Sequence, residues 1–389
     1  MSTPRRIRVV QLIRGLAIGA VNGGSEVFAL GLARFLDPAY FDVSICAIWS
    51  HDSPIERQWQ KRLIDQGTPT FFSTHYRGQF RLDLEMAYLG SYSIIRRLKP
   101  DIINTHTECP DLVGVALKLT GGVRRLVRTS HNSVEWSFDL RLRRITARLY
   151  PLVCDVQVGV APLVTDILNG SPTARLLRKS SPFIPNGIDP EVILAQRSAH
   201  DIRGLLGVSA HTPLFGLVGR LSEQKGIPDL IIAMHEVRNV LPDARLLIVG
   251  DGEDREQLHA LVIAEGLADT ITFLGPRTEV MDVISALDVF VSSSWWEGLP
   301  TVVMEAMVLG TPVVATNVAG SRELVIDGET GRLVPPHTPL ALAQAMLELY
   351  ADRAARRSVA NNARAHVEQF SIRQAAKAYG ELYMQLVHS

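Results

Sequence analysis

The sequence predicts an α/β protein built from two doubly wound domains, each a parallel sheet with helices on both faces. Three observations carry this. The chain has 389 residues, which is long for one domain and ordinary for two. Compact Val/Ile/Leu runs alternate with helical stretches in both halves, as parallel strands buried on both faces require. Loops at the ends of these runs hold glycines, cations and acids, and open α/β sheets bind ligands at the carboxyl ends of their strands. No period of about 20 to 50 residues repeats, so a solenoid is excluded.

Composition narrows the class. Lys plus Arg and Asp plus Glu are both 40, so nothing in the charge favours nucleic acid. Cys46, Cys109 and Cys154 are odd in number and widely spaced, which supports neither a disulfide framework nor a zinc site. A reducing cytoplasm is the expected compartment. The start, MSTPRRIRVVQLIRGLAIGAVNGG, sets basic residues before apolar ones as a signal peptide does. Arg14 interrupts an apolar run too short to span a bilayer, and the segment reads as a strand followed by a glycine loop.

The strand at 6–13 leads into Gly15, Gly19, Gly23 and Gly24 and then a helix over 25–35. These glycines do not fit G-x-G-x-x-G, which removes a nicotinamide dehydrogenase from the front rank. Strands are expected at 41–49 and 70–73, and a helix over 84–98 that Lys99-Pro100 ends. Strands at 101–105 and 125–129 carry His106 and His131 at their tips, where two histidines can share one crevice. For His106 the bonded structural role is preferred. Eight basic residues fall between Lys118 and Arg148, against only Glu135 and Asp139. Phe138, Leu142, Ile145 and Leu149 recur there at helical spacing beside Arg141, Arg144 and Arg148. Such a helix over 138–149 suits an anionic membrane surface, and it equally suits a domain helix with a solvated edge. A strand at 153–160 and a helix at 161–168 follow, then SSPFIPNGID at 180–189, whose Pro, Ser and Asn-Gly mark a link between domains.

The second half repeats the alternation, with strands at 214–218, 245–249, 270–274, 288–292 and 312–316 and a last helix over 372–387. After the first of these strands stands G-R-L-S-E-Q-K-G, with Arg220 and Lys225 five apart. A guanidinium fork and an ammonium point charge suit a diphosphate. Val249-Gly250-Asp251-Gly252 is a tight turn that lacks the third glycine of a dinucleotide fingerprint. The stretch 288–310, DVFVSSSWWEGLPTVVMEAMVLG, runs from a strand through a loop into a helix. Pro300 is expected as the first helical residue and Gly310 as the stop. The helix has one charge, Glu305, among apolar residues, and an unpaired carboxylate there is costly. Glu297 precedes the helix beside Gly298 and Leu299, so both acids border one crevice.

The pattern S-x-W-E-G-L-P-x-x-x-x-E-A-M-x-x-G-x-P-V-V resembles the donor-site signature of retaining glycosyltransferases of family 4 (group 1), which have the GT-B fold. The resemblance is strong over 186–335 and loose over the first 180 residues. It implies two Rossmann-like domains facing a central cleft: an acceptor domain at 1–185, with the helix at 372–389 returning to it, and a donor domain at 186–371. It implies catalytic roles for Glu297, His131, Arg220 and Lys225. Donor binding would fall to Gly23, Gly24, Arg220, Lys225, Glu297, Gly298, Leu299 and Glu305. Gly23, Gly24 and Glu26 match a Gly-Gly-x-Glu turn of the family, P-N-G-I-D its crossing between domains, and Ala319, Gly320 and Glu323 a further turn near the diphosphate. Glu305 would take ribose hydroxyls and Glu297 hydroxyls of the donor sugar.

The implied reaction is metal-independent transfer of a sugar from a nucleoside diphosphate sugar to a hydroxyl acceptor, with no resident cofactor, in polysaccharide or glycolipid synthesis. No Asp-x-Asp triplet occurs in the chain. The family's acceptors are often lipid-linked, which fits a cytoplasmic protein peripheral to the inner face of a membrane. The rivals are a sugar-nucleotide epimerase or hydrolase of the same fold and a catalytically silent assembly partner. Base, sugar, acceptor and oligomeric state are not legible.

Overall fold

The computed structural model describes residues 5–18, 23–136, 139–198 and 200–388. Gly19 of the glycine loop and Phe138 of the basic helix lie outside the described residues. The chain forms two compact units that divide between Gly187 and Ile188. The C-terminal helix belongs to the first of them.

The first unit holds six strands, β1 (Ile7–Ile13), β2 (Phe41–Ser50), β3 (Thr70–His75), β4 (Ile102–His106), β5 (Arg125–Ser130) and β6 (Val156–Gly159). They form one parallel sheet in the order β3-β2-β1-β4-β5-β6. Alternate residues feed opposite cores, because successive side chains leave opposite faces of a strand. Val9 joins Phe28, Leu32, Val127 and Tyr379 on one face, while Val10 joins Ile103, Leu126 and Tyr150 on the other. Helix Ile372–His388 lies on helix Gly24–Phe35, and Ile372 packs so closely on Gly31 that a Cβ there would stand 2.7 Å from Ile372 Cγ1. Its Tyr379 and Tyr383 are buried against the sheet.

The second unit holds β7 (Leu214–Val218), β8 (Arg245–Val249), β9 (Ile271–Gly275), β10 (Val289–Ser292), β11 (Val313–Thr316) and β12 (Arg332–Val334). Its parallel sheet has the order β12-β11-β10-β7-β8-β9. Phe215, Leu217, Ile231, Met234, Ile248 and Val291 anchor its core. In each unit the strand order reverses once, between β1 and β4 and between β7 and β10. Those are the switch points where sheets of this kind hold ligands.

Several element ends differ from expectation for local reasons. Pro300 is the N-cap rather than the first helical residue, because its ψ of 109° is extended; the helix is Thr301–Leu309. Asp288 stops short of β10 because its carboxylate accepts from Leu214 N–H at 3.0 Å and pairs with Arg203 at 2.8 Å. The helix expected from 84 begins at Phe80, where Asp83 accepts from the backbone of Arg77 and Gln79. Helix Leu140–Val153 shortens the strand expected at 153–160 to β6. A helix at Pro54–Asp65 was not anticipated, although Ser53 caps it by accepting from Glu56 N–H at 3.1 Å and Pro54 opens it.

Candidate active site

Two loops of the second unit bring the expected acid and cation together, one after β7 and one after β10. Because β7 and β10 are neighbours at the switch point, their loops meet. Lys225 Nζ donates to Glu297 Oε1 at 2.6 Å, and Ser294 Oγ donates to the same oxygen at 2.6 Å. Gln224 Nε2 reaches Glu297 Oε2 at 3.2 Å and the Trp296 carbonyl at 3.0 Å. Backbone ties close the seam: Trp295 N–H donates to Gln224 O at 2.8 Å, and Ser293 Oγ to Lys225 O at 2.8 Å. Glu297 is a buried carboxylate with 5% side-chain exposure, which is stable only because cation and donors surround it.

Glycine allows this approach. Gly226 has φ +55°, and a Cβ there would stand 2.2 Å from the Ser293 carbonyl. Gly320 has φ +85°, and a Cβ there would meet Gly298 O at 1.9 Å, while Glu323 accepts from Gly320 N–H. The 320 turn is thereby pressed against Gly298 and Leu299, at the mouth of the Thr301–Leu309 helix. Pro300 gives that helix no side-chain cap. Arg220 is exposed and pairs with Glu253 at 2.9 Å, so the two cations expected as a clamp each hold a different acid here.

Glu305 is half-buried on the Thr301–Leu309 helix, with no hydrogen bond or ion pair to its carboxylate among the described residues. Loss of solvent pushes its pKa up to about 7. The folded state therefore binds this proton more tightly than the unfolded chain. Its stability is fullest below the ordinary carboxylate pKa and falls as pH rises towards about 7. Glu305→Gln is expected to remove this slope: melting temperatures of variant and wild type should coincide near pH 4.5 and differ by several degrees near pH 8, with the variant higher. Melting curves that shift equally at both pH values would contradict an unpaired carboxyl.

In the first unit the histidines meet. His106 ends β4 and His131 follows β5, and His106 Nδ1 lies 3.0 Å from His131 Nε2. Phe28, from helix Gly24–Phe35, sets its ring edgewise at 6.2 Å from His106 and 5.7 Å from His131. His131 Nδ1 is buried and has no hydrogen-bond partner among the described residues. Burial and Arg128 hold His131 down to about pKa 3, and burial holds His106 well below its usual range, so both rings are neutral. Gly24 is the first residue of its helix, with Glu26 buried in the first turn. A Cβ at Gly23 would meet nothing within 4 Å, so space does not demand glycine there.

Sequence reasoning found the acids, the cations and both histidines but missed Gln224, Ser294 and Gln11. Ser294 and Gln224 stood inside recognised motifs, at positions to which no role had been given. The contact between Lys225 and Glu297 spans 72 residues and needs the strand order to be known.

Two six-stranded parallel sheets in separate units define the GT-B architecture, and known structures agree. Sucrose-phosphate synthase from Thermosynechococcus elongatus superposes with a TM-score of 0.78 at 24% identity, covering 98% of this chain and 99% of that one. HepE from Anabaena, in complex with UDP-glucose, gives 0.79 at 23% identity over 98% and 100%. The family model "Glycosyltransferase Family 4" matches residues 22–192, and "Glycosyl transferases group 1" matches 201–366. D-inositol 3-phosphate glycosyltransferase of Corynebacterium diphtheriae is 28% identical over 93% of this chain and 89% of its own length. An Escherichia coli relative, UDP-Gal:alpha-D-GlcNAc-diphosphoundecaprenol alpha-1,3-galactosyltransferase, is 26% identical over 83% and 86%. The chain belongs to the group 1 glycosyltransferases of the GT-B fold.

Proposed function

We propose that the chain transfers a sugar, with retention and without a metal ion, from a uridine diphosphate sugar to a hydroxyl acceptor of a cell-envelope polysaccharide or glycolipid. The observation that carries this reading is the buried junction of Lys225 and Glu297 at the switch point, beside a half-buried Glu305 without a partner. In the reaction the bond between the anomeric carbon and the diphosphate oxygen breaks. The acceptor oxygen bonds to that carbon from the same face, and its proton passes to the departing diphosphate.

Arg220, Lys225 and the backbone amides that open the Thr301–Leu309 helix oppose the charge that develops on the diphosphate. Glu297 accepts from hydroxyls of the donor sugar, Glu305 accepts from the ribose, and His131 touches the sugar near the reacting carbon. Gly23 and Gly24 approach the diphosphate through backbone. Support for the nucleotide comes from HepE, crystallised with UDP-glucose, and from the galactosyltransferase relative, whose name gives UDP-Gal as donor. The test is a thermal-shift and calorimetric screen of nucleoside diphosphates and their sugar conjugates with wild type and Arg220→Ala. Binding of uridine diphosphate that weakens about tenfold in the variant is expected, the loss of one charge-assisted contact. No nucleotide binding at all would bring the silent-partner reading forward, and sugar-nucleotide breakdown at a rate indifferent to acceptor would favour the epimerase or hydrolase.

A peripheral place at the inner face of a membrane completes the proposal. Among the described residues no helix is long and apolar enough to cross a membrane. On helix Leu140–Val153, however, Leu140, Ile145 and Leu152 are exposed among exposed Arg141, Arg143, Arg144 and Arg148. Vesicles containing anionic lipid are expected to carry the protein upward in a flotation gradient, and neutral vesicles are not. Equal behaviour with both would remove this part.

A further inference from the structure

Beneath His131 lies a polar chain inside the parallel sheet of the first unit. Gln11 on β1 stands in register with Asn104 on β4, at the switch point of the first unit. Gln11 Oε1 accepts from Asn104 Nδ2 at 3.1 Å and lies 2.8 Å from His106 Nε2. Asn104 Oδ1 accepts from Thr129 Oγ1 at 3.0 Å, and Thr129 Oγ1 meets Tyr379 OH at 2.8 Å. Gln11 Nε2 donates to Tyr383 OH at 3.3 Å. Gln11, Asn104 and His106 are fully buried, as are both tyrosines. Buried polar groups in such a place must be satisfied, and the need for partners decides where each hydrogen sits.

Two amide atoms face His106 Nε2: the Gln11 oxygen at 2.8 Å, which only accepts, and Asn104 Nδ2 at 3.2 Å, which only donates and already donates to that same Gln11 oxygen, so the shorter contact places the hydrogen of His106 on Nε2. His106 Nδ1 is then a lone pair. The 3.0 Å contact to His131 requires His131 Nε2 to donate, which leaves His131 Nδ1 as the lone pair. That is the His131 nitrogen that has no partner among the described residues. We propose that Gln11 and His106 are positioning residues that lock His131 in its Nε2–H tautomer, so that His131 presents an acceptor, never a donor, to its ligand. The ligand group seated there must then bring a hydrogen, as a hydroxyl does and a carboxylate does not. Tyr379 and Tyr383 of the C-terminal helix close the network from below. This rests on the transferase reading only for the nature of that ligand; the tautomer belongs to the free protein.

The test reads the imidazole nitrogens of the histidine-labelled full chain by 15N NMR, with His131 assigned through His131→Asn. The expected spectrum shows His131 Nδ1 unprotonated and Nε2 protonated. Gln11→Leu removes the acceptor for His106 Nε2–H, and both tautomers of His131 should then appear while surface histidines stay unmoved. The same variant should lose about tenfold in kcat, the value of one neutral hydrogen bond, with the KM for donor nearly unchanged and the melting curve still cooperative. Protonated Nδ1 in the wild type, or a tautomer indifferent to Gln11→Leu, would overturn the proposal. If Gln11→Leu does not fold, the wild-type spectrum alone decides. Failure of the transferase reading looks different: no nucleotide binds while the tautomer is as described.

Discussion

Glu297→Gln should lose more than about a hundredfold in turnover while the second unit remains folded. The carboxylate is held from three sides, by Lys225, Ser294 and Gln224, on a loop pinned to its neighbour by Trp295 N–H and Ser293 Oγ. Glutamine keeps one oxygen for Ser294. Lys225 shares that oxygen, so the NH2 group faces Gln224 Nε2, itself a donor, and one hydrogen bond is replaced by a donor-donor contact. The stability cost is about 1–3 kcal/mol, a shift of several degrees in melting temperature. The catalytic cost is larger because the proposed role needs a full negative charge and strong acceptance from donor-sugar hydroxyls. Turnover with saturating donor, measured beside the melting curve, separates the two. Near-wild-type turnover in a folded variant would strip Glu297 of its role.

What was legible in the sequence follows from how local each signal is. β7 and, after its first residue, β8 announce themselves as apolar runs because both sheet faces are covered. Glu297 and Glu305 stand out because glycine and proline bracket them and because a lone carboxylate in an apolar helix contradicts its surroundings. The stretch does not tell that Glu305 lacks a partner, nor that Arg220 turns to Glu253. Those are outcomes of side-chain packing across loops. The line from Gln11 through His106 to His131 was out of reach for a different reason. It depends on the register of β1 against β4, on amide and imidazole orientation, and on Tyr379 and Tyr383 returning from the far end of the chain. Gln11, between Val10 and Leu12 in an apolar strand, was its one visible trace.

Lys225→Met tests the same junction from the other side, and its pairing with Glu297→Gln distinguishes structure from chemistry. Alone, the substitution leaves the Glu297 carboxylate buried without its ammonium partner, facing Ser294 and Gln224. An uncompensated charge at 5% side-chain exposure should cost about 2–4 kcal/mol in a thermal or denaturant melt, somewhat less than for a fully buried pair because Lys225 is 17% exposed. Turnover should fall about a hundred- to a thousandfold, since the ammonium is a part-buried cation beside the proposed diphosphate position. The double variant carries no stranded charge, so its stability should return to within about 1 kcal/mol of wild type. Its activity should stay at the level of the worse single variant, because both residues serve one step and their losses do not add. Additive stability losses would mean that the Lys225–Glu297 pair does not hold the two loops together. Recovered activity in the double variant would mean that the pair is a clasp and the chemistry lies elsewhere. With stability restored and activity absent, Lys225 and Glu297 are working groups of the transfer and not only a clasp between two loops.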